Sequence, residues 1–234
     1  MGKLFSILIQ MYVDPARGFR NALSGPARSA LFPLAMVIVG TTALNAFYYS
    51  HVDLGWLADV LTIGLNAAQK RVVVAALTPG RLLLISFVSV LVLPAAMDAA
   101  RAAFFWVALR TIGRSADYRS LFLITAWSAM PLLLVLPAGI LSLVLGDAAH
   151  TAPNNLNPVS LNRLFFHLDT TSHWSVYFTT LTLVGFWEVA LNAVGLKVRT
   201  DMSTRGAVTL ALAPLVIVYG IWGIVVLLKF GTTG

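Results

Sequence analysis

Residues 178–198 read FTTLTLVGFWEVALNAVGLKV, an apolar stretch that is long enough to cross a lipid bilayer. A spanning helix needs about 20 apolar residues, because each adds about 1.5 Å and the hydrocarbon core is about 30 Å thick. The stretch also contains Glu188, the only glutamate of the chain. A carboxylate at membrane depth is costly, so Glu188 is a candidate functional residue.

Composition extends this interpretation to the whole chain. Of its 234 residues 59% are hydrophobic and only 11% are charged, whereas soluble domains carry about 25% charged residues. Four further segments have the length of a spanning helix, and they are residues 30–49, 82–106, 121–145 and 208–228. The sequence therefore predicts an all-α membrane protein, a five-span transmembrane helical bundle.

The regions flanking these spans predict shorter, amphipathic helices. Apolar residues recur at helical spacing before Asp14, which we expect to cap a second helix with Pro15 at its first position. Residues 54–77 are predicted to form one or two interfacial helices, with a re-entrant sixth span as the alternative. The chain then divides into an N-terminal cytoplasmic amphipathic segment (1–29), a five-helix membrane domain (30–228) and a short tail (229–234).

The Lys and Arg residues predict the orientation in the membrane. Cytoplasmic loops are enriched in these residues, and three regions that share one side of a five-span bundle contain most of them: Lys3, Arg17, Arg20, Arg28, Arg101, Arg110, Arg114, Arg119, Lys197, Arg199 and Arg205. We therefore predict a bacterial inner-membrane protein with a cytoplasmic N-terminus and a periplasmic C-terminus. The formal net charge of +7 is scattered between apolar runs, so no nucleic-acid partner is predicted.

The later part of the chain resembles a known family. The residues that resemble it are Phe186-Trp187, Val194-Gly195-Leu196-Lys197, Ser203, Ala207 and Pro214, with Asn157-Pro158 earlier in the chain. Together with the five-span layout over about residues 28–228, they are similar to bacterial members of the Yip1-domain family. The resemblance implies a helical integral membrane protein and supplies no catalytic residues.

The same comparison limits what is carried over about partners. Eukaryotic relatives contain Asp-Leu-Tyr-Gly-Pro and Gly-Tyr-x-x-x-Pro motifs and are implicated in vesicle traffic with small GTPases. Neither motif occurs here, and Tyr219-Gly220 has the reverse order with no proline after it. A GTPase-binding role is therefore not predicted for this chain.

A polar cluster inside the membrane is the main candidate site. Glu188, Asn192 and Gly185 share one helical face because they are three or four residues apart, and Asp98 can pair with Arg101 in the same way. Glu188 could carry a proton or cation, anchor a polar lipid headgroup, or pair structurally with another span; Asp98 or Arg101 could join it. Gly185, Gly195 and Pro214 are predicted to serve helix packing.

Metal and catalytic chemistry receive little support from the sequence. His167, Asp169 and His173 are possible ligands in an outer loop, but their spacing matches no zinc motif, so no metal site and no cofactor are predicted. Without cysteine the chain has no disulfide, thiolate metal site or cysteine nucleophile. The nucleophile-elbow, metalloprotease and phosphate-loop motifs are also missing, so we do not expect an enzyme.

Two functions remain open. The first is a non-enzymatic scaffold or accessory protein that acts through membrane lipids and through a membrane-protein partner or a homo-oligomer. The second is a small transporter, channel or lipid-moving protein that uses Glu188. The first is favoured, because Glu188 and Asp98 are few acids for a proton relay.

Overall fold

A computed structural model describes residues 2–169 and 172–230 of the chain. Its described part consists of helices joined by short loops, without a named strand. The α-helices are α1 (Gly2–Val13), α2 (Pro15–Leu23), α3 (Leu31–Tyr49), α4 (Leu54–Leu61), α5 (Ala67–Ala76), α6 (Pro79–Thr111), α7 (Tyr118–Ser128), α8 (Val135–Leu145), α9 (His173–Thr180), α10 (Leu183–Thr200) and α11 (Thr204–Phe230).

Four helical segments of the described chain are long and apolar enough to cross a membrane. The first is Arg28–Tyr49, which includes α3, and the second is Pro79–Thr111, which is α6. The third is Tyr118–Leu145, which contains α7 and α8, and the fourth is Thr204–Lys229, which lies in α11. These four agree with the first, second, third and fifth predicted spans. The prediction of an all-α integral membrane protein is confirmed at this level.

The remaining predicted span, residues 178–198, is not confirmed as a single crossing helix. It is divided at Leu181 and Thr182, where the backbone is extended and Thr182 forms an isolated β-bridge with Ser160. The Thr182 hydroxyl accepts the Gly185 backbone N–H at 2.9 Å, and this N-cap begins a new helix. The result is α10, which has 18 residues and also holds Glu188, Lys197 and Arg199.

Local capping explains the short helices of the first loop. The Asp53 carboxylate accepts the backbone N–H groups of Gly55 and Trp56 and begins α4, and Asn66 with Gln69 forms a reciprocal capping box that begins α5. Helices of 8 and 10 residues are only about 12–15 Å long, too short to cross about 30 Å of hydrocarbon. Their location in the membrane interface stays a prediction.

The N-terminal helices pack onto the bundle. The Asp14 carboxylate accepts the Arg17 backbone N–H at 3.1 Å with Pro15 at the first helical position, as the sequence predicted. Met11 of α1 and Phe19 of α2 are both fully buried. They belong to the same hydrophobic core as residues of α3, α6, α7, α10 and α11, so residues 2–23 help to build the interior of the domain.

The third spanning segment is interrupted halfway. A 3-10 turn, Met130–Leu134, separates α7 from α8 and begins next to Pro131, which has no backbone N–H to donate. The hydroxyl of Tyr12 donates to the Met130 carbonyl at 2.6 Å. The Tyr12 ring also meets the edge of Trp187 in α10, with ring centroids 5.7 Å apart. Helix α1 is therefore bound where the third span is broken.

Candidate functional site

Arg101 of α6 lies between two carboxylates inside the helical bundle. Its Nη1 donates a hydrogen bond to Glu188 Oε1 of α10, and the same nitrogen lies 3.8 Å from Asp98 Oδ1, one turn earlier on α6. The side chains of Arg101, Glu188 and Asp98 are 22%, 12% and 5% exposed. The structure thus brings together three charged residues that the sequence analysis named, and it joins α6 to α10 through them.

The cluster lies far from the C-terminal ends of the two helices that carry Arg101 and Glu188. Arg101 is ten residues before Thr111, the end of α6, and Glu188 is twelve residues before Thr200, the end of α10. At about 1.5 Å per residue these separations are about 15 and 18 Å. Both helix ends lead into loops that were predicted to be cytoplasmic. The cluster therefore lies about three helical turns away from the C-terminal ends of both helices.

The surrounding polar atoms are only partly satisfied. The Thr125 hydroxyl of α7 donates to the Asp98 backbone carbonyl at 3.1 Å, while the Asp98 Oδ2 atom is buried without a hydrogen-bond partner. Asn192 donates from Nδ2 to the Glu188 backbone carbonyl at 2.9 Å, and its Oδ1 is also buried without a partner. Asn192 therefore supports the helix beside Glu188, and it does not bind the carboxylate.

The cluster contains one acid more than it has bases. Two carboxylates share one guanidinium, so an ionised cluster carries one net negative charge away from bulk water. An uncompensated charge in such a place is costly, and a proton, a cation or a further donor can neutralise it. The cluster can therefore hold two helices together. Binding of one additional positive charge would make the ionised cluster neutral.

The three residues predicted for helix packing lie in different environments. A Cβ atom on Gly195 would meet Ile124 Cγ2 at 2.6 Å and Phe19 Cε1 at 3.1 Å, so α10 approaches α7 and α2 closely there. At Gly185 the nearest atom is the Thr182 hydroxyl at 3.2 Å, which is the N-cap of the same helix. Pro214 lies within α11 and does not end it.

Of the possible metal ligands, His167 and Asp169 lie in the loop before α9, and His173 is the first residue of α9. His167 ends a single π-helical turn and has a positive φ of 50°, and the Asp169 carbonyl accepts the backbone N–H of Ser172. Among the residues that the structure describes, no group of three or more His, Cys, Asp or Glu side chains is placed to hold a metal ion. In the described part of the chain, His167, Asp169 and His173 are therefore not grouped as metal ligands.

A second polar cluster, which the sequence analysis did not predict, holds the C-terminal end of α10. The Arg199 Nε donates to the Ser120 hydroxyl at 2.9 Å, and its Nη2 lies 3.4 Å from Asp117 Oδ1. The Ser120 hydroxyl in turn donates to Asp117. This hydrogen bond and Arg199 together hold the pKa of Asp117 below its usual range. A sequence signal existed, since Asp117 and Ser120 are three residues apart at a helix start.

Comparison with known families identifies the family of the chain. The Yip1 domain model matches residues 9–227, nearly the whole chain. The chain belongs to the Yip1-domain family. The match includes α2, the polar cluster and α10, so the Yip1 domain here contains every residue of the candidate site. The Yip1 family is not known as a family of enzymes.

The Yip1-domain assignment is supported by the family model alone. No curated protein and no solved structure matches this chain. The assignment confirms the resemblance that the residues around Val194-Gly195-Leu196-Lys197 indicated. The match also extends further toward the N-terminus, where it includes the last residues of α1 and all of α2.

Proposed function

We propose that this Yip1-domain protein is a non-enzymatic membrane scaffold or accessory protein that acts through lipid and through membrane-protein partners or copies of itself. The observation that carries the proposal is the pairing of Arg101 with Glu188 and Asp98. An acid such as Glu188, which binds the guanidinium of another helix, holds the bundle together, whereas a carrier needs acids that can exchange ions with water. This pairing matches the structural role for Glu188.

The outer surface of α6 supplies the area that a scaffold needs. Almost none of the most apolar part of this helix is buried within the chain, and its large side chains are exposed on several sides, including Leu84, Ile85, Phe87, Val88, Leu91, Val92, Leu93 and Met97. Such a surface suits lipid chains, a partner helix or a second copy of the chain.

The proposal places the protein in the inner membrane of a bacterium, with five crossings, a cytoplasmic N-terminus and a periplasmic C-terminus. Contacts among the three basic regions support this arrangement. Arg119 Nη2 donates to the Gly25 carbonyl at 2.9 Å, and Arg114 Nη1 donates to the Thr200 carbonyl at 2.7 Å. The loops before the first span, after α6 and after α10 therefore meet at one end of the bundle, as a crossing α10 requires.

The alternative is a small transporter, channel or lipid-moving protein that uses Glu188. The specific observation in its favour is the excess acid of the polar cluster, together with the Asp98 oxygen that has no partner. A site of this kind could take up a proton or a cation. It ranks second because Arg101 already binds both carboxylates.

Two measurements separate these functions. Purification in a mild detergent should bring down a defined partner or a homo-oligomer, and a monodisperse monomer without a partner would contradict the scaffold. Proteoliposomes containing the wild-type protein should show no proton or cation flux under an imposed gradient. Flux in the wild type that is abolished in folded, reconstituted Glu188→Gln protein would establish the alternative instead.

A further inference from the structure

A groove of about 700 Å³ lies between α2, α10 and α11. Its floor is apolar and built largely from small side chains, namely Ala190, Ala193, Val194, Val198, Ala207 and Val208. The members from α10 recur three or four residues apart, so they form one stripe on that helix. This stripe is separate from the face of α10 that carries Glu188 and Asn192 toward α6 and α7.

One end of the groove is polar and positively charged. Lys197 and Arg20 line it together with Thr204 and Asp201. The Lys197 ammonium donates to the Thr204 hydroxyl at 2.9 Å, and the exposed Arg20 guanidinium has no side-chain partner among the described residues. With Asp201 included, this end still has one positive charge in excess.

The groove has the polarity of a membrane lipid, with a charged end and an apolar floor. Lys197 and Ala190 are seven residues apart on α10, which corresponds to about 10 Å along the helix from the charged end toward the membrane interior. The charged end is formed by the end of α10 and the start of α11, where the headgroup layer of the proposed cytoplasmic leaflet would lie. The apolar floor runs toward the hydrocarbon, so a headgroup and an acyl chain would each meet a matching surface.

We propose that this groove binds one anionic phospholipid, with its phosphate against Arg20 and Lys197 and an acyl chain along the stripe of α10. The occupant is chosen by charge complementarity, because two cations and one acid favour an anionic headgroup over a zwitterionic one. The inference rests on the lipid-contacting role in the proposed function and names the lipid class and its site.

Binding is tested on the purified full chain in detergent by native mass spectrometry with phosphatidylglycerol, phosphatidylcholine of the same acyl chains, and inorganic phosphate. Phosphatidylglycerol should bind preferentially, and inorganic phosphate should not displace it. The double variant R20Q/K197Q should weaken phosphatidylglycerol binding about tenfold, because both charge-assisted hydrogen bonds are lost. Ala190→Phe should weaken it as well, by filling the floor without changing the charge.

The matched control is R17Q/R205Q, which also removes two positive charges but from exposed residues outside the groove. This variant should bind phosphatidylglycerol like the wild type. Equal binding of both lipids, displacement by inorganic phosphate, or an equal loss in the control would overturn the proposal. Should Ala190→Phe lower the unfolding temperature, R20Q/K197Q decides, since both of its residues are exposed. Absence of a partner would contradict the scaffold function without changing the preference for phosphatidylglycerol. Failure of the proposed function and failure of the lipid proposal are therefore distinguishable.

Discussion

At the scale of single residues, Arg101 organises the interior of this membrane protein. It serves two acids, one on its own helix and one on α10, and its removal has different consequences from the removal of either acid. The sequence allowed the Asp98–Arg101 pair to be predicted, because residues three apart share a helix face. The sequence allowed a contact between Arg101 and Glu188 but did not predict it, because contacts between helices do not follow from residue spacing within one helix.

Arg101→Gln should destabilise the protein more than Glu188→Gln. Without Arg101 two carboxylates stay inside the bundle with no cation, and breaking such a buried pair costs about 3–5 kcal/mol. After Glu188→Gln, Arg101 still has Asp98 Oδ1 within 3.8 Å, so the expected loss is roughly 1–3 kcal/mol. Thermal unfolding in mild detergent measures both variants.

The control for this comparison is Asp59→Asn, which breaks the exposed Lys70–Asp59 ion pair. A surface pair of this kind contributes about 0–1 kcal/mol, so its unfolding temperature should stay near that of the wild type. If Glu188→Gln proved as harmful as Arg101→Gln, the view that Asp98 shares the guanidinium would be wrong.

Asp117→Asn should lower stability near neutral pH and have less effect in acid. The pKa of Asp117 is lowered in the fold by Ser120 and Arg199. Its ionised form therefore stabilises the protein above the unfolded pKa of about 3.9, and this contribution is lost as the pH falls through the lower folded value. Because the carboxylate is half exposed, the effect should be under about 1 kcal/mol.

Unfolding temperatures of Asp117→Asn and the wild type from pH 7 to pH 3 test this expectation, and the difference between them should narrow below about pH 4. Ser120→Ala serves as the companion variant, because it removes the hydroxyl that contributes most to the lowered pKa. Combined with Asp117→Asn it should cause little further loss at pH 7. Two fully additive losses would show that the two residues act independently.

At the scale of elements, α10 uses different faces for different tasks. One face carries Glu188, Asn192 and Gly195 toward the core, and another forms the apolar stripe of the groove. Hydropathy alone predicted a 21-residue span here and missed its division, because Thr182 is a weak signal in an apolar run. The division at Leu181 and Thr182 became recognisable only in the structure, where Thr182 forms a β-bridge with Ser160.

Gly195→Ala should destabilise the protein by about 1–3 kcal/mol, because the added Cβ overpacks the contact with Ile124 and Phe19. Gly220→Ala is the matched control on α11, where an added Cβ meets nothing within 4 Å. This second variant should be neutral or stabilising by up to about 1 kcal/mol, since alanine favours helix. Thermal unfolding in the same detergent compares them, and equal effects at both glycines would contradict the close helix approach.

At the scale of the whole molecule, α10 determines the number of membrane crossings. Basic loops that meet at one end of the bundle, through Arg114 with Thr200 and Arg119 with Gly25, favour a crossing. At the other end, Tyr48 donates to the Thr151 carbonyl and the Asp53 N–H donates to the Ala149 carbonyl, so the loops after α3 and α8 also meet. Helices that cross the membrane in alternating directions place their loops in two groups of this kind, one at each end of the bundle.

Reporter fusions should therefore place residues 201–203 in the cytoplasm and the C-terminus in the periplasm. A reporter within residues 147–152 serves as the outer control, and one at the N-terminus serves as the cytoplasmic control. If α10 does not cross, residues 201–203 share the side of residues 147–152 and the C-terminus is cytoplasmic. That outcome would replace the five-span arrangement with four spans.

The sequence by itself determined the class of this protein, the four long apolar spans, and helix starts such as Asp14-Pro15. These follow from signals that are local in the chain, namely hydropathy over about 20 residues and capping within one turn. The tertiary structure decided that Arg101 meets Glu188, 87 residues further along the chain, that Phe19 packs against Gly195, and that three helices enclose a groove. Such contacts depend on how helices cross, and side-chain spacing within one helix carries no information about its neighbour.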